Sequence, residues 1–174
     1  MIDQDLIGRI QQRAHNLEQA TDMAETSPRV ANPPIPLERL AMAEAEFGFS
    51  LPEFMRQLYL QVGNGGFGPG YGLFPLGESS ADYEMIETYA RMVSTNIPPP
   101  DRPWPKEFVL IADWGCGIYS SLNWQKGSVH RFNGDLHEDG QPWESVFASE
   151  APSLEAWFED WFARPGRERF SAFR

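Results

Sequence analysis

The chain has 174 residues, 41% hydrophobic and 13% aromatic, enough for one folded domain with a sizeable core. Its formal charge is −11, from 25 acidic against 14 basic side chains, which speaks against nucleic acid or an anionic membrane as partner, since both need clustered Lys and Arg. Cys116 is the single cysteine, which rules out an internal disulfide and any multi-cysteine metal site.

The apolar runs are far shorter than the roughly 18 residues a membrane span needs. The opening MIDQDLIGRIQQR lacks a basic stretch followed by an apolar one, so no signal peptide is expected and a cytoplasmic protein is the default.

In chain order, Ile2, Leu6, Ile10, Leu17 and Ala24 recur near helical spacing and predict an amphipathic helix over 2–25. SPRVANPPIP (27–36) reads as a Pro-rich linker. LERLAMAEAEF (37–47) predicts a helix with Pro36 in its first turn and Gly48 as its stop. LPEFMRQLYLQV restarts a helix at Pro52, buries Phe54, Leu58 and Val62, and ends at Gly63, expected in the left-handed conformation. After a glycine-rich loop, YGLFPL (71–76) predicts an edge strand interrupted by Pro75. SADYEMIETYARMV (80–93) predicts a helix, and IPPPDRPWP (97–105) an extended crossover.

Three strands follow, over 107–113, 118–124 and 128–132, with WGCG and QKG as turns, so an antiparallel meander is expected. NGDLHEDGQ is a loop, ESVFA a further short strand, and SLEAWFEDWFARP a helix with Ser153 as N-cap and Pro165-Gly166 as its end. Leu154, Trp157, Phe158, Trp161 and Phe162 give that helix a broad core face. Trp104, Trp114, Trp124 and Trp143 lie at loops or strand ends, where some are expected as exposed anchors. The fold class is α+β: a single domain with a mixed, mostly antiparallel sheet flanked by helices. It divides into an N-terminal helix and linker (1–35), the main domain (36–165) and a basic tail (166–174).

GNGGFG formally matches the G-x-G-x-x-G dinucleotide fingerprint. A phosphate loop must follow a strand and open a helix, so that helix N-terminal amides face the anion. Here a helix precedes and a strand follows, and no G-K-[ST] occurs, so the loop reads as a helix stop and turn. Asp135, His137, Asp139 and Gly140 imitate the start of a calcium loop, but its twelfth position is Val146 instead of Glu, and a solvated acidic loop is expected. His15, His130 and His137 show no zinc spacing. Cys116, between two glycines, is expected to be a small buried hydrophobe. As a nucleophile it would need a base such as His130. No catalytic residue, cofactor or metal is assigned.

LERLAMAEAEFGFSLPEFMRQLYLQVGNGGFGPGYGLFPL resembles the N-terminal signature of the SUKH superfamily, in its cell-wall-assembly-regulator branch. Leu51, Pro52, Phe54, Leu58, Asn64, Gly65 and Gly66 carry the match. FVLIADWGCGIYSSLNWQKGSVHRF and VFASEAPSLEAWFEDWF are similar to the family's central strands and closing helix, and the resemblance covers about 37–163. DWGCG departs from the Asp-Gly-Gly-type turn of the family. The resemblance implies an immunity protein that binds a cognate toxin domain inside the producing cell and neutralises it stoichiometrically, without a catalytic residue or cofactor. The −11 charge suits a basic nuclease as that toxin, with Glu78, Asp82, Asp135, Glu138 and Asp139 as candidate contacts. A regulatory or scaffold module with an endogenous partner, as the family's fungal members are, is the alternative. An enzyme using Cys116 or His130 is the third reading.

Overall fold

The computed structural model describes residues 2–77, 83–94, 103–138 and 140–164. Helix α1 (Gln4–Ala14) is capped by Asp3, whose side chain accepts from the Leu6 amide, and it buries Leu6, Ile7, Ile10 and Ala14. It stops well short of residue 25. The Asn16 side chain accepts from the Glu18 amide and competes with the helix for backbone donors. Residues 16–27 then run as turns stitched to the glycine loop. The amides of Gly68 and Asp22 donate to the carbonyls of Ala20 and Gly70, and the Asp22 carboxylate accepts from the Gly70 amide.

Helix α2 (Leu37–Phe47) ends at Gly48, as expected, with that glycine in the left-handed conformation, and Pro36 is its extended N-cap residue. Helix α3 (Glu53–Gln57) passes into a π turn, Leu58–Val62, closed by the Gly63 amide on the Leu58 carbonyl. Gly63 is extended, with φ 167°, instead of left-handed. Its glycine is required by close approach: a Cβ there would lie 2.3 Å from the Asn32 carbonyl oxygen. Helix α4 is Met85–Val93. Tyr83 precedes it, exposed, and residues 80–82 of the predicted helix lie outside the described residues.

Strands β1 (Phe108–Gly115), β2 (Ile118–Asn123), β3 (Val129–Asn133) and β4 (Phe147–Ala151) form an antiparallel meander in chain order. β4 starts at Phe147 because Trp143–Val146 is a 3₁₀ turn, so the short strand lies later than expected. Residues 71–76 do not form a strand. The Tyr71 and Phe74 amides donate to the Asp113 and Ile111 carbonyls, and Leu73 makes one bridge with Ala112. Gly72 at φ 94° and the donor-less Pro75 prevent a regular ladder, but the segment still covers the outer edge of β1. Thr21 and Gly68 form an isolated parallel bridge.

Tyr119, Phe132 and Phe147 are cross-strand partners and share one sheet face. Phe147 stacks on Phe108 at 4.2 Å, and Trp104 packs edge-on to Phe132 at 5.2 Å. Trp104 and Trp114 are buried and Trp124 and Trp143 half-buried, so these tryptophans are core and rim residues instead of exposed anchors. Trp124 stacks on Phe49 at 4.2 Å. Helix α5 (Leu154–Ala163) starts at Ser153, whose hydroxyl accepts from the Ala156 amide, and it buries Leu154, Trp157, Phe158 and Trp161, with Phe162 half-buried. It packs on β4, α1 and α3.

A register shift in the β3–β4 ladder leaves Glu150 without a cross-strand partner, and its side chain is buried. Such a bulge re-aims a side chain. The Glu150 carboxylate accepts from Arg131 Nη2 at 2.6 Å, the Ser120 hydroxyl at 2.8 Å and Trp157 Nε1 at 2.8 Å. Ser120 accepts in turn from Trp114 Nε1, and the Arg131 guanidinium lies 4.1 Å from the Trp114 ring centre. Arg131→Met, which leaves the carboxylate without its cation, is expected to lower stability by about 3–5 kcal/mol, read by urea denaturation. Arg131→Met/Glu150→Leu should recover part of that loss.

Candidate partner-binding surface

The glycine loop is scaffold. Asn64 is buried, its Oδ1 accepts from the Leu76 amide at 2.9 Å, and its Nδ2 donates to the Gly77 carbonyl at 3.1 Å. Its backbone carbonyl accepts from Asn32 Nδ2 at 2.8 Å. Gly65 has φ 74°, and a Cβ there would meet the Leu73 carbonyl oxygen at 2.6 Å. The loop amides are thus engaged within the chain: Gly66 donates to Leu73, and Gly68 to Ala20. Beside the loop, buried Tyr59 donates to the Phe74 carbonyl at 2.7 Å, and burial pushes its phenol pKa well up.

The loop leads to the β1–β2 turn, where Gly115, Cys116 and Gly117 all have positive φ, at 81°, 53° and 72°. The Asp113 carboxylate accepts from the Gly115 amide at 2.7 Å and holds the turn. Cys116 is exposed, contrary to the expectation of burial. A turn that puts three successive residues in the left-handed region carries its middle side chain away from the sheet. His130 is not brought to it. Ile118 pairs with Asn133 at the turn end of β2, whereas His130 pairs with Ser121, three positions further, about 10 Å along the strand. The His130 ring packs edge-on to Phe108 and bonds the Ser128 hydroxyl at 2.9 Å, and burial, with Lys126 nearby, lowers its pKa.

The acidic loop lies against the same turn. The Asn133 side chain accepts from the Asp135 amide and caps a 3₁₀ turn, Gly134–Leu136. A Cβ on Gly117 would sit 3.8 Å from an Asp135 carboxylate oxygen. His137 stacks on Trp143 at 4.0 Å and bonds the Gln141 carbonyl through Nε2 at 2.9 Å, which anchors the loop. Among the described residues, no three His, Cys, Asp or Glu side chains are grouped to hold a metal ion. Asp135 and Glu138 are both exposed, and Glu138 accepts from Gln141 Nε2. Between them Leu136 is 64% exposed. Of the five predicted contacts, the structure places Asp135 and Glu138 on one loop, while Glu78, Asp82 and Asp139 lie outside the described residues. Leu136 was not singled out from sequence. Its signal is a lone large aliphatic side chain inside a run of polar residues.

An exposed apolar side chain flanked by carboxylates, on a loop held by the sheet, is equipped for contact with a protein. A family model matches residues 34–160 under the description SMI1 / KNR4 family (SUKH-1). The chain belongs to this family. A comparison with curated proteins found no match. The match to SUKH-1 spans α2 through most of α5, and so includes the glycine loop, the hairpin turn and the acidic loop. No helix among the described residues is long and apolar enough to cross a membrane.

Two outcomes are expected. Cys116 should react with a thiol reagent such as DTNB in the native protein, before any unfolding. Asn64→Ala, which strips buried backbone groups of their partners, should cost about 2–3 kcal/mol by thermal or urea denaturation.

Proposed function

We propose that this SUKH-1 protein is an immunity protein: it binds a cognate toxin domain inside the producing cell and neutralises it by stoichiometric binding, without catalysis. The observation that carries the reading is the family match over residues 34–160. The −11 charge and the exposed Asp135, Leu136 and Glu138 support a basic toxin, a nuclease for example. Carboxylates on an exposed rim speed the encounter with a cationic surface, while an apolar side chain between them slows dissociation. Cys116 stands apart from His130, which favours binding over a nucleophilic reaction.

Co-expression with the toxin domain encoded beside its gene tests the proposal. Growth should be restored and a stable one-to-one complex recovered; continued toxicity together with no complex would overturn it. Recovery of an endogenous regulatory partner instead would point to a scaffold role. Asp135→Asn/Glu138→Gln should slow association about threefold to tenfold at low salt, measured by stopped-flow or biolayer kinetics, and the deficit should shrink as salt rises.

A further inference from the structure

The β1–β2 turn links the acidic loop to a second surface feature. A groove of about 640 Å³ is lined by the 28–36 segment, Arg39 and Ala43 of α2, Asn64, Gly66, Leu76 and Ile86. A second cavity of about 370 Å³ is lined by Tyr71, Phe74, Tyr83 and Asp113, and it shares Arg29, Asn32 and Gly66 with the first. The two therefore adjoin at Arg29, and each falls within the roughly 300–1,000 Å³ range of ligand pockets.

The wall formed by residues 28–36 is rich in proline and already committed on its inner side. The amides of Ala31, Asn32 and Ile35 donate to the carbonyls of Ala14, Gly65 and Tyr59, while Pro33, Pro34 and Pro36 have no amide hydrogen. Few donors remain for pairing with an added strand, so recognition here must come from side chains. Val30 is 40% exposed. Arg29 is exposed and its Nη2 donates to the Ser27 hydroxyl, a neutral partner. In a chain of net charge −11, the described lining of the larger groove includes arginines at positions 29 and 39 and no carboxylate, and that of the second cavity includes Arg29 and Asp113.

We infer that this groove is a docking site for a segment of the toxin partner that carries a carboxylate beside apolar side chains, with the carboxylate on Arg29 and the apolar groups against the proline-rich wall and the Tyr71–Tyr83 cavity. Charge complementarity selects the occupant: an acidic segment is attracted here and repelled by the neighbouring loop. Continuity with that loop supports it. Asp113 and Tyr71 line the second cavity, Tyr71 lies against Gly115, and Gly117 lies against Asp135. One partner spanning both patches meets opposite charges in a fixed order, which sets its orientation. The inference rests on the immunity reading for the identity of the partner.

The test is titration calorimetry of the purified full chain with the toxin domain encoded beside its gene. Arg29→Glu is expected to weaken binding at least tenfold, and Val30→Asp to weaken it similarly, with unchanged thermal melting since both side chains are exposed. Hydrogen exchange should show the backbone around Gly66 and Leu73 protected in the complex. Full-strength binding by both variants would overturn the groove assignment while leaving the immunity reading intact. Absence of any binding by the wild-type chain would overturn the immunity reading and this one with it. Groove protection that rises with protein concentration in the absence of toxin would assign the groove to a second copy of the chain and overturn the inference.

Discussion

A buried carboxylate organises this fold. Glu150 sits at a bulge of the last strand and gathers an arginine from β3, a serine from β2 and a tryptophan from α5, and through Ser120 it reaches Trp114 at the end of β1. All four strands and the closing helix thus meet at one charge. Its desolvation is tolerable because each contact is a charge-assisted hydrogen bond and the cation lies over an aromatic face. An apolar substitute could fill the space, but it would not fix the angles of five elements at once. The aromatic packing on the opposite face, around Trp104 and Phe108, then follows from the register that this pair secures.

Much of the architecture was legible in the sequence, and the reasons are local. LERLAMAEAEF and LEAWFEDWF carry helical periodicity with a stop or a cap beside them, and the meander is punctuated by glycine turns. The parts that were not legible are those in which distant chain decides the outcome. Leu17 and Ala24 extend the apolar spacing of α1, yet Asn16 turns the chain and the glycine loop takes over its backbone bonds. YGLFPL has the composition of a strand, but Gly72 and Pro75 let it follow β1 only loosely. Gly63 sits where a left-handed cap belongs, whereas the carbonyl of Asn32 is what excludes a side chain there.

The candidate surface was half visible. Asp135 and Glu138 could be picked out as loop carboxylates because a polar run with glycines seldom folds inward. Their meeting with the hairpin turn, the exposure of Leu136 between them and the exposure of Cys116 depend on tertiary placement. So does the groove, since its wall belongs to a segment that reads in sequence as a mere linker. The fold thereby presents an acidic loop and an arginine-containing groove on a scaffold whose own polar groups are largely consumed internally.

The stitching of residues 16–33 to the glycine loop has a consequence for how this family unit can be moved or trimmed. The family match begins at residue 34, but Ala20, Asp22 and Asn32 provide the partners that bind Gly68, Gly70 and Asn64. A graft that carried only the matched residues into another protein would therefore transplant an open seam: the family's marker loop would arrive with bared amides and no opposite strand of chain to close on. The portable unit in this protein is larger than its family signature, because the loop that identifies it is held from outside.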